Sequence, residues 1–220
     1  MGNIPDIYYD YNNNNPYIHS PNAEYGIVFK QTRESLFGDA DTYKKFIDNC
    51  IARFRHSRTY TNYKSYLYEL GLNSCQVMSN INSDMASIEM HHNGLTIFDI
   101  TLIITNHLLA TENCVCSFDV VIHLKRVHRA NMVPLVMLSK SMHQLNHNND
   151  DFLIPTSMTF GFWTELLKEY HYGITFGIAK KLDYWIKVSA EHSFDENLNR
   201  ELINVRESIK KWSEYNEWIS

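Results

Sequence analysis

No stretch of this chain is both long and apolar enough to cross a bilayer. The longest apolar run, around 95–110, is interrupted by Asp99, Asn106 and His107, whereas a span needs about 20 consecutive apolar residues. A secretory leader is not expected either, because the N-terminus has neither a basic start nor an apolar run. Met1-Gly2 opens like a myristoylation signal, but Asp6 stands where that signal needs Ser or Thr. Cysteine is sparse. The four residues Cys50, Cys75, Cys114 and Cys116 form no C-x-x-C pair, so free thiols in a reducing compartment are expected. Cys114 and Cys116 have the spacing at which strand side chains share a face. An excess of positive charge is also lacking: 20 Lys and Arg stand against 25 Asp and Glu, a net charge of -5. A non-specific nucleic-acid coat would be basic, so contact with nucleic acid would need a local patch. The chain is therefore expected to be cytoplasmic, with no membrane partner.

What is present is the composition of a globular protein, with 44% hydrophobic and 13% aromatic residues over 220 positions. That length can bury one sizeable core, and no repeat or linker divides it. Residues 1–40 read as an irregular arm rich in Tyr and Asn, with Tyr8, Tyr9 and Tyr11 before the run Asn12 to Asn15 and Pro16. One helix is expected over 41–70, with Asp41 as N-cap, an apolar stripe of Phe46, Ile47, Cys50, Ile51 and Phe54, and Gly71 as its stop. The cluster Arg53, Arg55, His56 and Arg58 interrupts it and reads mainly as a solvated helix end, with phosphate contact as the alternative. A hairpin is expected between 75–79 and 85–90, followed by the Asn93-Gly94 turn. Helices are expected over 97–109, capped by Thr96, and 117–129, capped by Ser117. A strand over 131–138 and a short helix capped by Ser139 follow. The remainder reads as helices over 158–170, 174–190 and 195–219. Their aromatic residues are expected to pack, not to bind. The domain reading is an arm over 1–40, a helix plus core over 41–153, and a helical extension over 154–220.

Histidine carries the most information. Seven of the eleven histidines lie between His91 and His147. Ile88-Glu89-Met90-His91-His92 ends a strand-like run, and His143 and His147 are four apart on an expected helix. That spacing sets two imidazoles on one helix face. Two such nitrogens can hold a divalent ion if a third ligand faces them, and His91 or His92 could supply it. Neighbouring strand residues point to opposite faces, so one is expected as ligand and the other as base. His107 and His123 are expected to be structural, and His171 and His192 to lie at the surface.

Together the strand-end His91-His92 pair and the stretch from Pro134 through Ser139 to His143 and His147 resemble the HNH endonucleases, the ββα-metal nucleases, in an elaborated form like those of tailed phages. The resemblance covers about 60 residues. It implies an α+β, mostly helical fold with a small ββα-metal core, two inserted helices, and helical N- and C-terminal extensions. It implies His91, His143 and His147 as ligands of a divalent ion (Mg²⁺, Mn²⁺ or Zn²⁺) and His92 as the general base of phosphodiester hydrolysis. The Asn that orients the base in that family falls at Pro134, leaving Asn131 and His128 as candidates for its role. Ser139 and Met142 stand where a structural zinc would have cysteines. Lys125, Arg126 and Arg129 are the expected contacts to nucleic acid, DNA before RNA. The alternative is a non-enzymatic protein that keeps the metal for structure and binds a host or phage protein through its arm or its C-terminal helices.

Overall fold

A computed structural model describes residues 31–216 apart from 150, 151, 192 and 194. Most of the expected arm, and the end of the last expected helix, lie outside these residues. The described part is mostly helical with two small sheets, which agrees with the α+β expectation.

The part of the arm that is described is regular. Strand β1 (Gln31–Thr32) leads directly into helix α1 (Arg33–Phe37). The helix expected over 41–70 is two helices, α2 (Ala40–Arg55) and α3 (Arg58–Glu69). Ser57 explains the break. Its hydroxyl donates to the Phe54 carbonyl at 2.6 Å and accepts from the Tyr60 amide at 3.4 Å. One side chain thereby ends α2 and caps α3.

The expected hairpin does not form. Residues 74 and 82 make a single bridge, and strand β2 (Ile88–His92) pairs instead with β4 (Leu135–Ser139), antiparallel, with His91 opposite Val136 and His92 opposite Leu135. All five residues of β4 are buried, as befits a strand with partners on both edges. On its far side the Gln76 amide donates to the Met137 carbonyl at 2.8 Å, while the Gln76 side-chain oxygen accepts from the Met137 amide at 2.7 Å. Phe160 exchanges two backbone hydrogen bonds with Leu135. This pairing delays the helix expected from 158, so α7 spans only Trp163–Glu169.

Between the paired strands run α4 (Ile97–Glu112), the short strand β3 (Cys114–Val115) and α5 (Ser117–Arg129). Thr96 caps α4 and receives the Asp99 carboxylate in return. Ile100, Ile103, Ile104 and Leu108 of α4 are buried. They form the centre of the core with α2 and α5, and β3 pairs with β1 beside them. Cys116, not Ser117, occupies the cap position of α5, and its amide donates to Asp119 at 2.9 Å. Helix α6 (Lys140–Asn148) follows β4 without a loop, with Ser139 as its cap.

Helices α8 (Phe176–Glu191) and α9 (Glu196–Tyr215) pack against each other. Trp185 of α8 donates its indole N–H to the Ile154 carbonyl at 2.9 Å, and the Asn93 side chain donates to the same carbonyl at 3.0 Å. The turn that ends β2 is thereby tied to the C-terminal helices. All four cysteines are free thiols.

Candidate metal centre

Residues Glu89 and His91 sit two apart on β2 and so share one face of the strand. Helix α6 packs across that face. Its Lys140 amide donates to the Ser87 carbonyl at 3.1 Å, which fixes the start of the helix beside β2. His143 and His147 then point at His91. One ligand nitrogen from each of the three residues lies within 4.8 Å of the others. The ring centroids are 4.7 Å apart for His91 and His143, 5.2 Å for His91 and His147, and 4.7 Å for His143 and His147.

The orientations suit metal coordination. The His143 Nδ1–H donates to a Glu89 carboxylate oxygen, which leaves His143 Nε2 free as a lone-pair donor. That atom lies 3.0 Å from His147 Nε2. A four-coordinate ion with nitrogens at about 2.1 Å separates its ligands by about 3.4 Å, so a small adjustment would accommodate one. A carboxylate on the far nitrogen of a ligating histidine is the usual way to fix its tautomer. His91 is buried, His143 half-buried and His147 exposed, so the cluster opens to solvent on one side. Burial, reinforced by the like charges of His143 and His147, brings the His91 pKa down to about 4, against a hydrogen bond from His91 to the Asn146 side chain that raises it. His91 is therefore neutral at physiological pH, the form in which imidazole binds metals.

His92, the last residue of β2, turns to the opposite face. Its Nε2 lies 3.1 Å from Nε2 of His128, on α5. His128 is fully buried, and its Nδ1–H donates to the Leu124 carbonyl at 2.7 Å. A neutral His128 then accepts at Nε2, and His92 donates its Nε2–H, which leaves a lone pair on His92 Nδ1. Burial brings His128 down to about 4. Burial, followed by the neighbouring His128, His91 and Arg55, holds His92 well below the ordinary histidine range. Phe54 and Tyr63 enclose the His128 ring, with centroids at 4.4 and 5.6 Å. Asn131 makes no hydrogen bond to His92 among the described residues. It sits just beyond the end of α5 with φ 51°, and its side-chain oxygen accepts from the Tyr63 hydroxyl at 3.0 Å. Of the two candidates for the orienting role, the structure brings His128 to His92.

A family model described as bacteriophage G278-like virion protein matches residues 8–218. The chain belongs to that family. Neither the curated proteins nor the solved structures contain a match. Family membership places the chain among bacteriophage proteins, and the family's description names a virion protein.

The three cations expected at a nucleic acid differ in this virion-family protein. Arg126 is committed to the Glu169 carboxylate and the Tyr170 hydroxyl. Arg129 donates to the Thr59 hydroxyl at 3.3 Å, and Lys125 is in no ion pair among the described residues. All three lie on α5, whose inner face carries His128, and so on the His92 side of the sheet. His107 and His123 pack against Tyr170, the half-buried His171 packs against His107, and His192 lies outside the described residues. Among the described residues, no helix is long and apolar enough to cross a membrane.

Two residues of the metal cluster escaped the sequence reading. Glu89 had a usable signal, since it precedes His91 by two on a strand and must share its face. Asn146 follows His143 by three on α6, but nothing in the sequence separates it from the other asparagines nearby.

Proposed function

We propose that this phage protein holds a divalent metal ion on His91, His143 and His147 and hydrolyses phosphodiester bonds of nucleic acid, in the manner of a ββα-metal nuclease. The supporting observation is the convergence of three imidazole nitrogens within 4.8 Å, with Glu89 fixing the tautomer of His143. The order strand, strand, helix that carries them, with α4, β3 and α5 inserted between the strands, is the order the HNH resemblance implies. An all-imidazole donor set suits Zn²⁺ better than Mg²⁺ or Mn²⁺, which prefer oxygen. Three protein ligands are the number that catalytic sites use, whereas structural zinc sites are closed by four.

When bound, the ion would neutralise charge on the phosphate and on the leaving oxygen. The chain's own residues supply the rest. His92 stays neutral and presents its Nδ1 lone pair as the base that takes a proton from water. His128 holds the other nitrogen of that ring and so sets its orientation. Because His92 and the metal cluster lie on opposite faces of β2, the reacting phosphate would lie across the end of the strand, where the backbone turns at Asn93-Gly94.

Plasmid nicking with Mg²⁺, Mn²⁺ or Zn²⁺ tests this, with His92→Ala and His143→Ala as comparisons. Nicking by the wild type, lost in both variants while their folding is intact, is the expected result. No cleavage of any DNA or RNA with any of the metals would sink the enzymatic assignment.

A non-enzymatic role has one specific point in its favour: Pro134 occupies the position of the family's orienting Asn. In that case the ion would brace α6 against β2 in a virion component that binds a host or phage protein. Metal would then raise stability without any nicking.

A further inference from the structure

Most exposed cations of the described residues that enter ion pairs do so with a partner close in sequence or space, as Lys44 with Asp48, Lys168 with Glu165 and Arg206 with Asp183. Arg53, Arg55, Arg58, Lys125 and Arg129 gather near the junction of α2 and α3 and on α5, and none is in an ion pair among the described residues, although the whole chain is acidic. Arg53 lies over the exposed Phe118 ring, 5.2 Å from its centroid. Arg129 reaches from α5 to Thr59 of α3, the residue that follows Arg58, so the end of α5 and the start of α3 meet at one cleft. The cleft is lined by Thr59, Asn62, Tyr63, Tyr66 and Arg129.

Helix stability does not explain all of these charges. Arg53 and Arg55 are in the last turn of α2, and Arg129 is in the last turn of α5, where cations are favourable. Arg58 is different. It is the first residue of α3, whose first turn contains no acidic residue. A cation at a helix N-terminus opposes the macrodipole. Arg58 thus works against its own helix.

Tyr66 gives the cleft a second feature. It is 43% exposed and lies 6.5 Å from Tyr63 between centroids, with the rings 30° from parallel. An exposed ring beside unpaired arginines is the combination that stacks a base while phosphates are neutralised. Stacking on an exposed ring needs an unpaired base, so the cleft suits a single strand better than a duplex. Tyr63, buried at the base of the cleft, also touches His128, the partner of His92, so the cleft lies against the back of that histidine pair.

We infer that the cleft between α3 and α5 binds single-stranded nucleic acid, with Arg55, Arg58 and Arg129 on phosphates and Tyr66 stacked on a base. The site deepens the nuclease assignment by naming the form of its substrate, but its own test needs no metal. Fluorescence anisotropy of a labelled oligo-dT of about 20 nucleotides is measured with the full chain in EDTA, so that a failed metal centre cannot be mistaken for a failed cleft. The wild type should bind, with log affinity falling linearly in log salt. R55Q/R58Q/R129Q should weaken binding at least about tenfold and reduce the salt slope by roughly 2, since each phosphate contact on a single strand contributes about 0.7. Tyr66→Ala should weaken it roughly fivefold or more. K180Q/K210Q, on the distant α8 and α9, should bind like the wild type. Circular dichroism and thermal midpoints establish that each variant folds, and Arg58→Lys provides a conservative substitution that should retain binding. No binding by the wild type, an unchanged affinity in a folded triple variant, an equal loss in K180Q/K210Q, or equal affinity for the matching duplex would each overturn the inference.

Discussion

Glu89 accepts a hydrogen bond from Nδ1 of His143 across the space between β2 and α6. Both groups are half-buried, and the bond joins a strand residue to a helix residue 54 positions later. It determines which nitrogen of His143 faces His147 and His91. Removing such a carboxylate from a ligating histidine typically costs 10–100-fold in metal affinity. Glu89→Ala should therefore weaken Zn²⁺ binding by about that factor, measured by competition with a chromophoric chelator. Glu89→Gln should lose less, because its side-chain oxygen still accepts from Nδ1–H. Equal affinities for the wild type and Glu89→Ala would mean that His143 is not a ligand.

The parts of this arrangement that were legible in the sequence are the local ones. The His143 and His147 spacing reads as one helix face, Ser139 reads as a cap, and His91 and His92 read as strand neighbours facing opposite ways. What was not legible is non-local. β2 finds its partner β4 across two helices, while the nearer 75–79 segment, the apparent hairpin partner, meets the sheet on the far edge of β4, with Gln76 at Met137. Pattern alone cannot rank a near partner against a distant one when both are apolar and short. The break between α2 and α3 was legible in principle, since Ser57 is a capping residue, but the apolar period continues across it in Tyr60, Tyr63 and Leu67. The His92–His128 contact needed the packing of α5 beneath the sheet, which no spacing reveals.

Metal should stabilise the chain whether or not it catalyses. A ligand that binds only the folded state at 100 times its dissociation constant contributes about 2.7 kcal/mol. For a chain of this size each kcal/mol moves the thermal midpoint by about 2–4 °C. Saturating Zn²⁺ should thus raise the midpoint by roughly 5–10 °C, and EDTA should reverse it. His143→Ala and His147→Ala should abolish the shift. A shift that persists in both variants would place the ion elsewhere.

Acid should destabilise the protein through its buried histidines. His128 is fully buried with a pKa of about 4, whereas an unfolded histidine titrates near ~6.5. Between those values the unfolded chain binds a proton that the folded chain does not, so stability falls as pH drops from about 6.5 to about 4 and levels off below. His128 alone contributes up to roughly 3 kcal/mol to that fall, and His92 adds to it in the same direction. Urea midpoints measured across this range should decline with pH. His128→Phe keeps an aromatic ring between Phe54 and Tyr63 and removes the titrating group, so its decline should be shallower. An identical decline would show that His128 does not stay neutral in the fold.

Gly94 holds the end of β2 against the C-terminal helices. Its φ is +74°, and a Cβ placed there would lie 2.3 Å from the Trp185 ring. Gly94→Ala must therefore accommodate two effects at once. The left-handed backbone costs a non-glycine residue about 1–2 kcal/mol, and overpacking against a buried ring costs about 1–3 kcal/mol. Gly71 separates the two, since it has φ +85° with nothing within 4 Å of an added Cβ. Gly71→Ala should show the backbone cost alone, and Gly94→Ala should exceed it by the packing cost. Trp185 can relieve the clash only by moving, which would strain its hydrogen bond to the Ile154 carbonyl and shift its fluorescence. Urea denaturation followed by tryptophan emission reads both quantities. Equal destabilisation by the two substitutions would mean that Trp185 does not press on the turn after His92, and that the C-terminal helices leave the strand end free to move.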